Sequence, residues 1–221
     1  MEKYALIGDI INSKNIKERD VFQKSLSILL GKINEKYSES IASNLTLTLG
    51  DEFQGLFDDI ETLFLVTDII TLELANLGQS VRFGIGYGTL LTSYNKEISI
   101  GADGEAYWNA RKAIDHVYHN NHTQRVNEHY VDINEKHSYL INSTIKIQNS
   151  MRYNWTHSQR NLVLTILKDT GYGPINTTYI KNILKISSSS LSNRSTSSSY
   201  TIYVDSRKHL SEYIKDNENK D

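Results

Sequence analysis

The chain has 221 residues, 38% of them hydrophobic and 23% charged, with a formal net charge of −2, no cysteine and one proline. Those values suit one large domain or a medium domain plus a small one, and they exclude disulfides and thiolate metal sites. No run of about 18 apolar residues occurs, so no membrane helix is expected, and the start "MEKYALIGDI" lacks a signal-peptide layout, which makes a cytoplasmic location the expectation.

The charge is uneven. Between Met151 and Lys215 stand nine Lys and Arg against three Asp and Glu. This split suggests an acidic first unit and a basic second one able to meet a polyanion, unless the cations merely solvate a small domain.

In chain order, "YALIGDI" reads as a buried strand ending in Gly8-Asp9. Phe22, Leu26, Leu29, Leu30, Ile33 and Tyr37 mark one face of a helix from about Glu18 to Tyr37. "LTLTLG" alternates as a half-buried strand does and, with "QGLF", predicts a hairpin carrying Asp51 and Glu52 at its tip. "DDIETLFLVTDIITLELANLG" reads as a helix capped by Asp58 or Asp59 and ended by Gly78. "VRFGIGYGTL" is the next strand, with Gly84, Gly86 and Gly88 on one face that is left bare for a helix or a ligand. A helix follows Gly104, and "HYVDI" is a further strand. The order β-α-β-β-α-β predicts an α+β, ferredoxin-like domain over residues 1–150, its sheet antiparallel with helices on one face.

The polar stretch Asn142 to Trp155 reads as a boundary near Ser150. Beyond it, "SQRNLVLTILKDTGYG" and "NTTYIKNILKIS" read as helices, then a short Ser-rich helix, a strand in "YTIYVDS" and a closing helix. That is the order of a winged helix-turn-helix over 151–215, with 216–221 a disordered tail. Ile180, Ile183, Leu184 and Ile186 anchor the supporting helix, Leu191 the recognition helix, and Ser188, Ser189, Asn193, Arg194 and Ser195 lie toward double-stranded DNA. The alternative is a Ser-rich linker without fixed structure.

Asp9 and Asp51 both end up at one sheet edge in this topology. With Glu52 they suit Mg²⁺ or Mn²⁺, which take oxygen ligands. Ile10, Ile11, Asn12, Ser13 and Lys14, entering a helix, together with Gly50, offer backbone N–H groups and a cation to phosphates. The plainer reading of both Gly-Asp pairs is a wet turn. Tyr107 and Trp108 either stack on a base or belong to the core, and His116, His119 and His122 read as a polar helix end rather than a metal site.

The segments "GDIINSK", "LTLGDEF", "RFGIGYG" and "GADGEAYWNARKAI" occur in the order seen in class III nucleotidyl cyclases and their GGDEF and polymerase-palm relatives. More closely, nearly the whole chain resembles the SatD family. The cyclase resemblance implies metal positions at Asp9 and Asp51 and a transition-state role for Asn109 and Arg111, while Leu47 stands where many adenylyl cyclases carry a lysine. It also implies a site shared between two subunits, hence a homodimer. Three functions follow as expectations: a regulator whose metal-dependent binding of a nucleoside triphosphate or other nucleotide is coupled to DNA binding, an active nucleotidyl cyclase or nucleotidyltransferase, and a non-catalytic protein-interaction module.

Overall fold

The computed structural model describes residues 1–48, 50–124 and 126–218, and no side chain among 121–124, 135 and 136. Strand β1 (Glu2–Ile10) leads into a three-residue 3-10 turn at Ser13–Asn15, helix α1 (Arg19–Lys36) and the hairpin β2 (Ile41–Leu47)–β3 (Glu52–Phe57). Helix α2 (Ile60–Asn76), strand β4 (Val81–Thr89), helix α3 (Glu105–Gln124) and strand β5 (Glu128–Val131) complete the sheet region. Then come α4 (Glu135–Tyr153), α5 (His157–Thr170), α6 (Thr177–Leu184), α7 (Ser188–Ser197) and α8 (Tyr200–Asn217).

The strand order is β2-β3-β1-β4-β5. The first four strands form the expected antiparallel ferredoxin-like sheet, and β5 adds to its β4 edge in parallel, making the sheet mixed. Alternation along β1 explains the layering. Tyr4, Leu6 and Ile10 share one core with α1, α2 and the C-terminal helices, whereas Ala5 and Ile7 meet α3 in a second core on the opposite face. The helices therefore cover both faces, not one.

Helix α3 sits on the glycine face of β4. A Cβ on Gly86 would stand 2.1 Å from the Ala110 nitrogen, and one on Gly84 would stand 2.2 Å from the Ala110 carbonyl oxygen. Bare backbone lets helix and strand touch, so of the two expected occupants of this face it is the helix that takes it, through Ala106, Ala110 and Ile114.

The expected boundary near residue 150 lies inside α4, whose 19 residues form one uninterrupted helix. Tyr200 to Ser206, read as a strand, is the start of α8, so no wing follows α7 among the described residues. Tyr203, Val204 and Arg207 succeed one another on the buried face of that helix, and burial at helical spacing outweighs the strand preference of Tyr-Ile-Tyr-Val. Ile183, expected in the core, is 53% exposed. Residues 216 and 217 are the last turn of α8, Glu218 is its C-cap, and 219–221 fall outside the described residues.

Sheet and C-terminal helices are joined by a buried charge cluster. Asp68 of α2 accepts hydrogen bonds from Arg152 of α4, from Arg207 of α8 at 2.8 Å, from Tyr203 at 2.6 Å and from Tyr172 at 2.7 Å. Glu128 of β5 accepts from the same two arginines, at 2.9 and 2.8 Å, and from Thr67 at 2.6 Å. All four charged side chains are 0–4% exposed. Two anions thus meet two cations out of water. Burial alone would raise the Glu128 pKa, but the charges of Arg152 and Arg207 outweigh it and hold the carboxyl at about 2. Because that value lies below the ordinary 4.5, the stability contributed by ionised Glu128 is full above about pH 4.5 and is lost as the pH falls through about 2.

Removing one member strands the others. Asp68→Ala leaves two guanidinium groups sharing one carboxylate, and breaking such a buried set costs about 3–5 kcal/mol. Urea unfolding at neutral pH should show that loss, with the signal for the sheet and that for the C-terminal helices falling in one transition.

Candidate site at the strand ends

Asp9 and Glu52 are direct cross-strand partners in the β1–β3 register, on the face that α3 covers. Asp51 follows one residue further out, and its carbonyl accepts the Ile10 N–H at 3.2 Å. Gly50, with φ +70, makes the turn possible, and Gln23 of α1 fixes it by donating to the Gly50 carbonyl at 2.7 Å. Three carboxylates thus gather at one corner of the sheet, as the topology predicts.

Each has a partner. The Asp9 carboxylate accepts from Arg82 Nε of β4 at 2.6 Å, and the Arg82 guanidinium lies over the Tyr118 ring with 4.4 Å to the centroid. Glu52 is held by Arg111 of α3 through two bonds of 2.7 and 2.9 Å, a fork-on-carboxylate pair. Asp51 accepts from the Ser13 hydroxyl of the 3-10 turn. Burial pushes the Asp9 carboxyl above the ordinary aspartate range; the bond to Arg82 pulls it back, and the neighbouring charges of Asp51 and Glu52 push it up again. Of the three carboxylates, Asp9 and Glu52 are each paired with a guanidinium, and Asp51 is met by a neutral hydroxyl.

The other expected residues separate. Ile10 is buried in the core with its N–H given to Asp51, and the Ile11 N–H is given to the Ser80 carbonyl at 2.8 Å, so neither backbone group is free for a phosphate. Asn12 stands in the left-handed region with φ 57, and Lys14 is exposed beside it. The helix expected to start here is only the 3-10 turn, and α1 begins at Arg19. Asn109 donates to the Tyr87 carbonyl at 2.8 Å, which ties it to β4, while Arg111 points to Glu52. Two positions apart on a helix means about 200° of rotation, so the two side chains serve different neighbours. Tyr107 is core, its hydroxyl donating to the Ser99 carbonyl at 3.2 Å, whereas Trp108 is 47% exposed and donates to Asp103 at 2.7 Å. His116 stacks on His129 at 4.0 Å, and the side chain of His122 lies outside the described residues.

Arg82 is the member that pattern reading missed. Its signal was present: a lone cation alternating with buried residues, on the glycine face of a central strand.

A divalent ion fits the donor chemistry. All three acids offer hard oxygen, and Asp51 is engaged by a neutral hydroxyl rather than a cation. Among the described residues no three His, Cys, Asp or Glu side chains form a ready-made metal cage. Among the described residues the corner thus offers an ion fewer than three such side chains at once, and Mg²⁺ held by one or two carboxylates takes water and phosphate for the rest.

In the C-terminal half, α6 and α7 are joined by Lys185, Ile186 and Ser187, with Lys185 in the left-handed region at φ 51 and ψ 48. Ser188, Ser189 and Asn193 are exposed, Arg194 and Ser195 half-buried, and Leu191 and Ile180 anchor the pair to the core. Among the described residues no helix is long and apolar enough to cross a membrane.

No curated protein matches the sequence. Among solved structures, the chain is similar to a bacterial light-regulated adenylyl cyclase, at 16% identity and a TM-score of 0.42 over 53% of this chain and 70% of the other. A second structure so described aligns at 15% identity and a TM-score of 0.42, over 54% of this chain and 41% of that one. The family model described as the SatD family matches residues 3–214, and the chain belongs to that family.

Proposed function

We propose that the corner formed by Asp9, Asp51 and Glu52 binds a nucleotide through Mg²⁺ or Mn²⁺. The observation that carries this reading is the gathering of three carboxylates at one corner, where Arg82 and Arg111 pair with only two of them and Asp51 is met by a hydroxyl. A bound ion would sit on Asp51 and Asp9 and offset the charge of the phosphates. The chain's own residues do the rest. Ser13 orients Asp51, Arg82 keeps Asp9 in place, and exposed Lys14 supplies positive charge at the mouth.

Binding is favoured over turnover because of α3. Asn109 is committed to the Tyr87 carbonyl and Arg111 to Glu52, so neither is free to meet a transferring phosphoryl group. Nucleotidyl transfer is the second reading, and it requires Arg111 to leave Glu52.

In the same reading α6 and α7 form a DNA-binding helix-turn-helix without a wing, which makes the protein a nucleotide-responsive regulator. Ser188, Ser189 and Asn193 present hydrogen-bonding groups, and Lys181, Lys185 and Arg194 supply cations around them. Two copies assemble through the exposed apolar side chains of Leu91, Ile98, Ile100 and Trp108.

Calorimetric titration of a nucleoside triphosphate panel with Mn²⁺ should show saturable binding that Asp51→Ala abolishes; equal heats from wild type and variant would remove the proposal, and product analysis of the same mixtures decides between binding and transfer. In gel shifts, Arg194→Ala should weaken binding to duplex DNA and flatten its salt dependence, by about 0.9 in slope for each phosphate no longer neutralised. Sedimentation should give a dimer that Trp108→Glu dissociates, and a wild-type monomer at all concentrations would exclude the assembly.

A further inference from the structure

A cleft on the far side of the sheet from α3 takes no part in nucleotide or DNA binding as proposed. It has a volume of about 640 Å³ and opens between the end of α2, the start of β4 and the junction of α4 with α5. That size falls in the range of about 300–1,000 Å³ usual for small-molecule sites. Its lining carries two guanidinium groups, those of Arg152 and Arg160, and no carboxylate.

Most of the polar wall is already engaged. Arg152 is bonded to Asp68, Glu128, Asn127 and Asn149. Asn127 gives its amide to the Val81 carbonyl at 3.1 Å, and Asn149 gives its amide to the Ile145 carbonyl at 2.8 Å. Two groups differ. Arg160 Nε, from the first turn of α5, and Thr71 Oγ1, from α2, are both buried without a hydrogen-bond partner among the described residues. Buried polar atoms nearly always have partners. Here two orphans, one of them on a cation, belong to residues that line the same cleft, and a group that reached and accepted from both would satisfy them. Leu72, Ala75, Val81 and Trp155 add an apolar surface beside them.

We infer that this cleft binds a small organic oxyanion, a phosphate or carboxylate carried on an apolar or aromatic body. The anionic head sits on Arg160 and Thr71, where a guanidinium can form charge-assisted bonds to oxygen. The body lies against Leu72 and Ala75. The site is separate from the carboxylate corner and needs no metal ion.

The test is calorimetric titration of the full chain, without divalent cations, using phenyl phosphate, benzoate and inorganic phosphate. One of the two aryl anions should bind saturably at one per chain, and which of them binds identifies the head group. Inorganic phosphate should bind at least tenfold more weakly. Arg160→Gln should weaken the aryl anion about tenfold or more, the scale of one charge-assisted hydrogen bond, and Thr71→Val should weaken it severalfold with the fold checked by circular dichroism. Asp51→Ala should leave this binding unchanged, which keeps the result distinct from that at the carboxylate corner. Absence of saturable binding by either aryl anion overturns the inference, as does unchanged affinity in the folded Thr71→Val and Arg160→Gln variants, or inorganic phosphate binding as well as the aryl anions.

Discussion

Four ionised side chains held out of water, Asp68, Glu128, Arg152 and Arg207, set the terms for the rest of the molecule. Each comes from a different element: α2, β5, α4 and α8. None is tolerable there alone, because a lone charge in such surroundings lacks the solvation that water gave it. The elements can pack only together, with both signs present. The apolar core alone would accept many small slips of one helix past another. The charge cluster accepts far fewer, since Asp68 receives two arginines and two tyrosine hydroxyls at once. Register between the sheet and the last helices is therefore set by hydrogen-bond geometry as much as by hydrophobic area.

That rigidity bears on both the strand-end corner and the α6–α7 pair. The carboxylate corner is built from strand ends and the hairpin turn, and the α6–α7 pair is anchored through Ile180 and Leu191 to the same core as α2 and α8. Among the described residues α4 runs straight through the expected boundary, so the corner and the α6–α7 pair belong to one packed body. Movement is easier at the periphery. The 3-10 turn at Ser13–Asn15 and the turn around Gly50 are held to the rest by a few side-chain bonds, those of Ser13 to Asp51 and Gln23 to Gly50.

The sheet region was legible because its pattern obeys simple periods. The apolar run of β1, the alternating glycines of β4, the hairpin between β2 and β3, and the apolar face of α1 all follow from which sides are buried. The site was legible only as a pairing of Asp9 with Asp51. Arg82 shows in the pattern as a lone cation on the glycine face of β4, whereas the Glu52–Arg111 pair depends on how α3 lies over that face. Helix α4 was hidden for a related reason. Asn142, Gln148, Asn149 and Arg152 are buried polar residues on its inward face, so the stripe that should read as apolar reads as surface. In α8, Arg207 looks like an ordinary solvated cation, and its role shows only once Asp68 and Glu128 are beside it. Charges that belong inside are invisible to hydropathy.

The spacing of the cluster along the chain also constrains how the protein is made. Asp68 and Glu128 leave the ribosome long before Arg207 does. A nascent chain that closed the sheet and α2 early would trap two anions with at most one guanidinium to answer them. Closing that seam early would therefore bury an unanswered charge, a cost that Arg207 removes once α8 is translated.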